Sequence, residues 1–256
     1  MELRLRLSIL GGNMLPINYQ YELSSWIYKV IERADSKYSD FLHNEGFQLA
    51  GKHFKMFTFS QLDLRPYEVT GSQVKLLGKE ISFIIRFAVD TSLNPFIKGL
   101  FMHQRLGLGD RHNVVDLEVT GVETIVPPSF QTTMRYQCLS PICVSRSRPD
   151  RTAEYVSPEA NGYGKLLAQN LVHKAAALVG GTDMPLPGTD GFHFRLLNKP
   201  RKKGLHIKAH TESHTQVIGY LFHFELTAPV ELHEIGYEAG FGEKNSMGFG
   251  CVGVGL

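Results

Sequence analysis

Four glycines near the end of the chain constrain its fold more than any other feature of the sequence. They form two Gly-Phe-Gly triplets, residues 240–242 and 248–250, on either side of the insert Glu-Lys-Asn-Ser-Met. Glycine adopts positive φ angles without steric cost, and its missing side chain lets backbone N–H groups approach a ligand closely. The pattern therefore predicts a tight loop that binds an oxyanion such as a phosphate. The residues predicted to bind this oxyanion are Gly240, Gly242, Lys244, Asn245, Ser246, Gly248 and Gly250.

The segments on both sides of this glycine loop are predicted to be regular. Residues 229–239 read as a helix, with Pro229 in the first turn and Gly240 just past the end. Residues 249–254 are apolar and short enough for a strand. The loop is not a Walker loop, because no Gly-Lys-Ser/Thr follows, and not a dinucleotide fingerprint, because a helix precedes it. A glycine-rich turn without a ligand is an alternative interpretation.

The first half of the chain alternates between strand and helix patterns. Leu3, Leu5 and Leu7 alternate with charged residues, which predicts a half-buried strand, and a helix with a buried stripe follows from Asn18. Further strands are predicted at 54–60, 74–77, 81–88 and 114–122, and further helices at 36–44 and 94–106. This order is that of a ferredoxin-like unit, whose open sheet face is widely used for binding RNA.

The second half repeats that order. Strands are predicted at 133–144, 192–197, 205–209, 216–226 and 249–254, and helices at 157–178 and 229–239. Pro127-Pro128-Ser129 interrupts the chain between the two halves. We therefore expect an α+β chain of two tandem ferredoxin-like domains, residues 1–122 and 123–256.

Two basic clusters are candidate contacts to an RNA backbone. The turn predicted between strands 192–197 and 205–209 carries Arg201, Lys202 and Lys203. Arg146, Arg148 and Arg151 form the second cluster. Each phosphate that such a side chain neutralises adds to the salt dependence of binding, but neither cluster by itself reads a base sequence. A solvated hairpin tip is the alternative for the first cluster.

A few polar side chains in the first half fall outside the predicted apolar faces. Tyr28 lies roughly 130° from the centre of its helix stripe, which offers its hydroxyl to solvent or to a partner. His43 falls in the last turn of the helix predicted at 36–44, where an imidazole can exchange protons near neutral pH. Lys52 and Lys55 follow closely. For one of eleven histidines, a surface position without a task is the default interpretation.

Charge and cysteine content limit the classes of function. The net charge is only +2, so any affinity for nucleic acid must come from local basic clusters. Cys138, Cys143 and Cys251 form an odd set without the spacing of paired ligands. This argues against a disulfide framework or a zinc finger and favours a reducing compartment, so we expect a cytoplasmic protein.

Metal and membrane sites are not expected. His206, His210 and His214 would align three imidazoles for a metal on a helix, but the alternation around them predicts a strand. The sequence therefore predicts neither a metal nor a cofactor. It also shows no signal peptide and no run of about 18 apolar residues that could cross a bilayer.

Two stretches resemble a known family. GYEAGFGEKNSMGFGCV, residues 236–252, is similar to the C-terminal signature of the RAMP superfamily of CRISPR systems, and most of all to the endoribonucleases that cut precursor crRNA at each repeat. YQYELSSWIYKVIERADSKYSDFLHNEGF, residues 19–47, and FKMFTFS, residues 54–60, resemble the first helix, the histidine-bearing segment and the second strand of that family. The similarity in outline covers the full chain.

The resemblance implies a metal-independent endoribonuclease with no cofactor, acting on repeat RNA. In the archaeal type of the family a tyrosine, a histidine and a lysine form the site, and they match Tyr28, His43 and Lys55 here. Lys52 is the alternative lysine, because the loop before the strand is longer than in several relatives.

The resemblance leaves open a homodimer, a place in a CRISPR effector complex, and the rival role of a non-cleaving RNA-binding subunit of such a complex. It also implies that the glycine loop binds RNA. A β-branched residue at Gly242 or Gly248 is then expected to weaken RNA binding more than it alters folding.

Overall fold

Two antiparallel sheets and five helices organise the chain in the computed structural model, which describes residues 1–110, 112–150, 152–180, 191–207 and 215–255. The helices are α1 (Gln20–Ala34), α2 (Ser36–Asp40), α3 (Asp90–Met102), α4 (Tyr163–Leu178) and α5 (Val230–Ala239). A π-helical turn at Phe41–Glu45 continues α2, and a 3₁₀ turn at Asn245–Met247 lies in the glycine loop.

The strands of the first half are β1 (Glu2–Gly11), β2 (Met14–Pro16), β3 (Phe47–Leu49), β4 (Lys52–Phe54), β5 (Phe57–Phe59), β6 (Tyr67–Thr70), β7 (Gln73–Leu76), β8 (Glu80–Phe87), β9 (Arg105–Gly109) and β10 (Val114–Ile125). Those of the second half are β11 (Thr133–Cys138), β12 (Ser145–Ser147), β13 (Ala153–Tyr155), β14 (His193–Leu196), β15 (Arg201–Ile207), β16 (Thr215–Leu221), β17 (His223–Thr227) and β18 (Val252–Val254).

The first sheet has the order β5-β8-β1-β10-β9, and α1 and α3 connect its strands in the ferredoxin-like sequence. The alternation at its start is confirmed, because Leu3, Leu5 and Leu7 are all buried. The two helices touch closely: a Cβ atom at Gly99 of α3 would lie 1.8 Å from the carbonyl oxygen of Val30 in α1. The backbones of α1 and α3 are therefore in direct contact at this point, and a side chain at residue 99 would push the two helices apart.

The second sheet has the order β14-β17-β11-β18, with α4 and α5 as its connecting helices. Both sheets thus place the first strand of the unit between the third and the fourth, and the expected α+β fold of tandem ferredoxin-like units is confirmed. The division into residues 1–122 and 123–256 stays a prediction. No helix among the described residues is long and apolar enough to cross a membrane.

The sequence prediction was wrong about the strands around the basic cluster. β14 pairs with β17, whereas β15 pairs with β16 in a separate two-stranded sheet. Arg201, Lys202 and Lys203 therefore begin a strand and do not form a turn between two paired strands. The single strand expected at 216–226 is divided at Phe222, a buried residue that packs against aromatic rings of the second core. The apolar sequence pattern continues through Phe222, so the pattern does not show that the strands before and after this residue pair with different neighbours.

A buried ion pair joins the two halves. Arg86 of β8 is 1% exposed, and its Nε donates to Oε2 of Glu2 at 2.9 Å. Its Nη1 donates to the carbonyl oxygen of Val252 in β18 at 2.6 Å. Tyr237 of α5 donates its hydroxyl to the same Glu2 carboxylate at 2.6 Å, and its ring lies 3.6 Å from the guanidinium carbon. One charged group thus holds β1, β8, α5 and β18 together.

We expect Arg86→Met to lower the free energy of unfolding by about 3–5 kcal/mol, because it leaves the Glu2 carboxylate buried without its cation. Denaturant unfolding of the full chain measures this. Arg105→Met is the matched control, since it removes one side of an exposed cross-strand pair with Glu118, and a loss of no more than about 1 kcal/mol is expected. Equal losses in the two variants would contradict the role of the buried pair.

Candidate active site

Tyr28 and His43 lie in contact on the surface of the first half. Their ring centroids are 5.7 Å apart at an interplanar angle of 81°, an edge-to-face contact. Phe57 of β5 packs on Tyr28 with its centroid at 5.6 Å. The His43 side chain is exposed, whereas Tyr28 is partly buried. Two residues that the sequence could only place on separate helices are thus brought together.

The π-helical turn determines where His43 lies. The predicted helix at 36–44 ends early, at Asp40, and the N–H of Gly46 then donates to the carbonyl oxygen of Phe41 at 2.7 Å. A bond to the fifth preceding residue widens the backbone, and such turns occur frequently at functional sites. Nδ1 of His43 lies 3.2 Å from Oδ1 of Asn44, and no hydrogen bond to Nε2 is found among the described residues.

The two candidate lysines occupy different places. Nζ of Lys55 donates to the carbonyl oxygen of His43 at 2.9 Å, and partial burial lowers the pKa of this lysine. Nζ of Lys52 instead lies 3.1 Å from Nδ1 of His173 on α4. Lys52 is the first residue of β4 in the β3–β4 hairpin, and Lys55 directly follows that strand. Lys55 is therefore the lysine that contacts the histidine segment.

The glycine loop needs its glycines for the fold itself. Gly240, Gly242, Gly248 and Gly250 have φ angles of 88°, 73°, 88° and 81°. A Cβ atom at Gly242 would lie 2.3 Å from the carbonyl oxygen of Cys143, and one at Gly250 would lie 2.2 Å from that of Phe241. The expectation that a β-branched residue at Gly242 would affect RNA binding more than folding is therefore wrong, because the backbone has no room for it.

The loop amides are only partly available to a ligand. The N–H of Gly248 donates to the carbonyl oxygen of Asn245 at 3.1 Å, and that of Gly250 donates to Pro141 at 2.8 Å. Within the described chain, no acceptor is found for the N–H groups of the following residues: Gly242, Lys244, Asn245 and Ser246. Anion binding by these amides stays a prediction.

The insert side chains have different surroundings. Nδ2 of Asn245 donates to the carbonyl oxygens of Phe241 and Phe249, both at 3.2 Å, so this amide bridges the two glycine triplets. Ser246 is buried, whereas Lys244 is exposed. Of Lys244, Asn245 and Ser246, only Lys244 offers its side chain fully to solvent.

The loop is docked onto the first half of the chain. The hydroxyl of Ser24 in α1 donates to the carbonyl oxygen of Ser246 at 2.6 Å, and that of Thr58 in β5 donates to Phe249 at 3.0 Å. Burial raises the pKa of Tyr28 to about 12, against the opposing effect of the nearby Ser246 side chain, which acts to lower it. Tyr28 therefore keeps its proton at neutral pH.

Lys174 is a site residue that the sequence analysis did not identify. It is 1% exposed, and its ammonium donates to the carbonyl oxygens of Gly240 and Gly242, the latter at 2.8 Å, and to Oδ1 of Asn245 at 2.7 Å. Burial lowers its pKa to about 7. The available signal was its position at i+7 from Leu167, on the apolar stripe of α4, where a lysine is out of place.

A cavity of about 590 Å³ opens between the two halves at this place. Its walls are residues 52–56, residues 145–147 of β12, α4 and residues 242–247 of the glycine loop. Lys52, Lys55 and Lys244 all line it, so its rim is cationic. A polyanion is the ligand that such a surface favours.

The basic clusters found in the sequence contribute little free positive charge to this cavity. Arg201, Lys202 and Lys203 are not among the described residues that line the cavity, and burial lowers the pKa of Lys203. Arg146 lines the cavity but forms a two-pronged ion pair with Glu154. Arg148 lies 3.8 Å from the same carboxylate, and Arg151 lies outside the described residues.

Only one member of the histidine triplet lies among the described residues. His206 lies in β15, a strand as the alternation predicts, while His210 and His214 lie outside the described residues. In the part of the chain that the structure describes, no group of three His, Cys, Asp or Glu side chains could hold a metal ion.

Two named relatives match nearly the whole chain. The CRISPR-associated endoribonuclease Cas6 1 of Methanocaldococcus jannaschii is 28% identical over 257 residues, covering 98% of this chain and 92% of the relative. The CRISPR-associated endoribonuclease Cas6 of Pyrococcus furiosus is 26% identical over 245 residues, covering 94% of this chain and 83% of the relative.

Solved structures agree over the same length. One described as "CRISPR associated protein Cas6" is 28% identical and superposes with a TM-score of 0.75, covering 100% of this chain and 99% of the other. A Cas6-related protein from Pyrococcus furiosus superposes with a TM-score of 0.83 at 23% identity, covering 99% and 98% of the two chains, and so supports the fold.

Two sequence models of one protein family complete the comparison. "CRISPR-associated protein Cas6, N-terminal" matches residues 14–119, and "CRISPR associated protein Cas6, C-terminal" matches residues 125–254. Because the second model alone spans more than half of the 256 residues, the chain belongs to the CRISPR-associated Cas6 family.

Proposed function

We propose that this chain is an endoribonuclease that cleaves CRISPR repeat RNA without a metal and so releases crRNAs. Its relatives in Methanocaldococcus jannaschii and Pyrococcus furiosus are named endoribonucleases and match it over 92% and 83% of their length. The observation that carries the proposal is the contact of Tyr28 with His43 on one side and with Ser246 of the glycine loop on the other. A proton-transfer pair beside a candidate phosphate-binding loop is what this reaction needs.

The reaction uses the 2′-hydroxyl of the RNA as its nucleophile. The 2′-oxygen attacks the adjacent phosphorus, the bond from phosphorus to the 5′-oxygen breaks, and the products are a 2′,3′-cyclic phosphate and a free 5′-hydroxyl. The 2′-hydroxyl proton must pass to a base, and the leaving 5′-oxygen must receive a proton from an acid. Negative charge on the phosphorane oxygens requires a nearby cation or donor.

His43 and Tyr28 supply the proton transfers in this proposal. Because Oδ1 of Asn44 can only accept, Nδ1 carries the proton when it bonds to that oxygen, and the ring then offers the lone pair of Nε2 as the base in this proposal. Tyr28 is protonated at neutral pH because burial raises its pKa to about 12, so it acts as a donor toward the leaving or the attacking oxygen. A phenol in this state is not the base.

Lys55 supplies the positive charge. Its ammonium is fixed beside the histidine by the bond to the His43 carbonyl oxygen, and partial burial lowers its pKa by removing water from it. A fixed charge with little water around it acts more strongly on a developing anion than a hydrated one. Lys52, bound to His173, lines the same cavity and is better placed to contact the RNA backbone away from the scissile bond.

The cationic cavity is the proposed path of the RNA next to the site. Lys244 contributes charge from the glycine loop, and the amides of residues 242 and 244–246 are the donors that remain for a phosphate. Repeat RNA is the binding partner that the family comparison supports. Assembly into an effector complex and homodimer formation remain further proposals.

The test of the function is cleavage of the host's own repeat transcript in the presence of EDTA. We expect one cut per repeat, with a 2′,3′-cyclic phosphate on the upstream product and a 5′-hydroxyl on the downstream product. A repeat with a 2′-deoxy nucleotide before the cut should be bound but not cut. Tight binding without any cleavage of the all-ribose repeat would instead identify the non-cleaving RNA-binding subunit.

His43→Ala should lower the single-turnover cleavage rate by roughly 10²- to 10⁴-fold, the usual contribution of a general acid–base group. RNA binding should stay close to that of the wild type, because the exposed imidazole is assigned to proton transfer. His103→Ala, an exposed histidine after the end of α3, is the control and should cleave normally. Rates at saturating RNA and binding titrations measure both effects; normal cleavage by His43→Ala would refute the assignment.

Replacing the lysines separately should distinguish their roles. Lys55→Met removes the charge beside His43 and should lower the cleavage rate at saturating RNA by about 10²-fold, as for loss of one oxyanion donor. Lys52→Met should weaken RNA binding and leave that saturating rate little changed. If the larger rate effect came from Lys52, the lysine assignment would have to be exchanged.

A further inference from the structure

In the described part of the chain, all three hydrogen bonds of the buried Lys174 ammonium go to the glycine loop. Its acceptors are Gly240 and Gly242, one on each side of Phe241, and the side chain of Asn245. An ammonium group has three N–H donors, and here each has its own acceptor. The arrangement therefore matches a protonated lysine and connects α4 to the loop at three points.

No carboxylate neutralises this cation at close range. Among the described residues, none lies within ion-pair distance of Nζ of Lys174. The carboxylate of Glu243 is the acidic group that acts on it electrostatically, but its oxygens accept from the N–H and hydroxyl of Ser145 at 3.0 and 2.8 Å. A buried charge held only by neutral acceptors is costly, and an apolar residue at this position of α4 would avoid that cost.

A continuous series of contacts leads from Lys174 to the candidate catalytic pair. Lys174 holds Asn245, and the carbonyl oxygen of the next residue, Ser246, accepts at 2.6 Å from Ser24, which lies four residues before Tyr28 on α1. The Ser246 side chain also acts on the Tyr28 hydroxyl and lowers its pKa. Tyr28 in turn touches the ring of His43. The steps are hydrogen bonds, short lengths of backbone and a ring contact, so a shift of the loop moves the groups beside the tyrosine hydroxyl.

We infer that Lys174 is a positioning residue for RNA cleavage: its ammonium fixes the glycine loop so that Ser246 holds the Tyr28 hydroxyl beside His43. The inference rests on the proposed function and adds a residue from the second half of the chain to it. Lys174 does not touch the RNA, because it is 1% exposed and its three donors are occupied.

The loop should also respond to the protonation of Lys174. Burial lowers its pKa to about 7, and a neutral amine has only two N–H donors for three acceptors. The charged or titratable groups that line the same cavity are Glu243 and Lys244 of the loop, Lys52, His53, Lys55 and Arg146, and His173 directly precedes Lys174 on α4. They are present in the wild type and in a Lys174 variant alike, so a rate ratio between the two isolates Lys174.

The experiment compares the full-length wild type with Lys174→Met, Ser246→Ala and the double variant. Lys165→Met is the matched control, since this lysine is exposed on the same helix. Single-turnover cleavage of repeat RNA at saturating concentration and the dissociation constant for the 2′-deoxy repeat are measured from pH 6 to pH 8.5. Melting temperatures are determined first, and Lys174→Gln replaces Lys174→Met if the latter is unfolded at the assay temperature.

We expect Lys174→Met to lower the saturating rate by about 10- to 100-fold, the size of effect that a misplaced catalytic group produces. The ratio of wild-type to Lys174→Met rates should fall as the pH rises through about 7. Adding Ser246→Ala to Lys174→Met should cost little more than either change alone, because both act through the Tyr28 hydroxyl. Lys165→Met should match the wild type.

Three results would overturn the inference while leaving the proposed function intact: an unchanged saturating rate in Lys174→Met, fully additive losses in the double variant, or a rate ratio independent of pH. Each of them presupposes a wild type that cleaves repeat RNA. A wild type that cuts no repeat at all would instead remove the proposed function, and the inference with it.

Discussion

The docking of the glycine loop onto the first half of the chain is the contact on which the site depends. Ser24 and Thr58 donate to loop carbonyl oxygens, while the Arg86 guanidinium holds the neighbouring strand β18 and the Glu2 carboxylate. Buried polar groups of this kind tolerate little displacement, because each lost partner leaves a donor or acceptor without water. The two halves therefore have one relative arrangement, and the catalytic candidates of the first half acquire a neighbour from the second.

Much of the fold follows from local patterns, and the rest depends on distant contacts. The alternation at Leu3, Leu5 and Leu7 and the order of strands and helices were enough to predict two ferredoxin-like units. The pairing of β15 with β16 could not be predicted in this way, because tertiary packing determines which strand a strand pairs with, whereas its own hydrophobic period does not. The π-helical turn that carries His43 likewise could not be predicted, because its hydrophobic pattern does not differ from that of an α-helix.

The candidate site shows the same division. Family resemblance and helix geometry both pointed to Tyr28 and His43, and the structure brings their rings together. Lys174 was missed because a lysine on an apolar stripe is explained only by acceptors some 70 positions later in the sequence. The interpretation of the loop as a row of free amides was incomplete for a related reason: Gly242 and Gly250 make room for the carbonyl oxygens of Cys143 and Phe241, and several loop amides already have acceptors within the chain.

Asn245 limits how the insert between the glycine triplets can evolve. Its amide donates to both triplets and accepts from Lys174, so an aspartate would lose the donors and a glutamine would reach too far. The side chain of Lys244 is exposed, so what restricts this position is its backbone φ angle of 59° and not a side-chain contact. Substitutions in this insert should therefore be tolerated more readily at residue 244, whose side chain faces solvent, than at residue 245, whose amide joins the two glycine triplets.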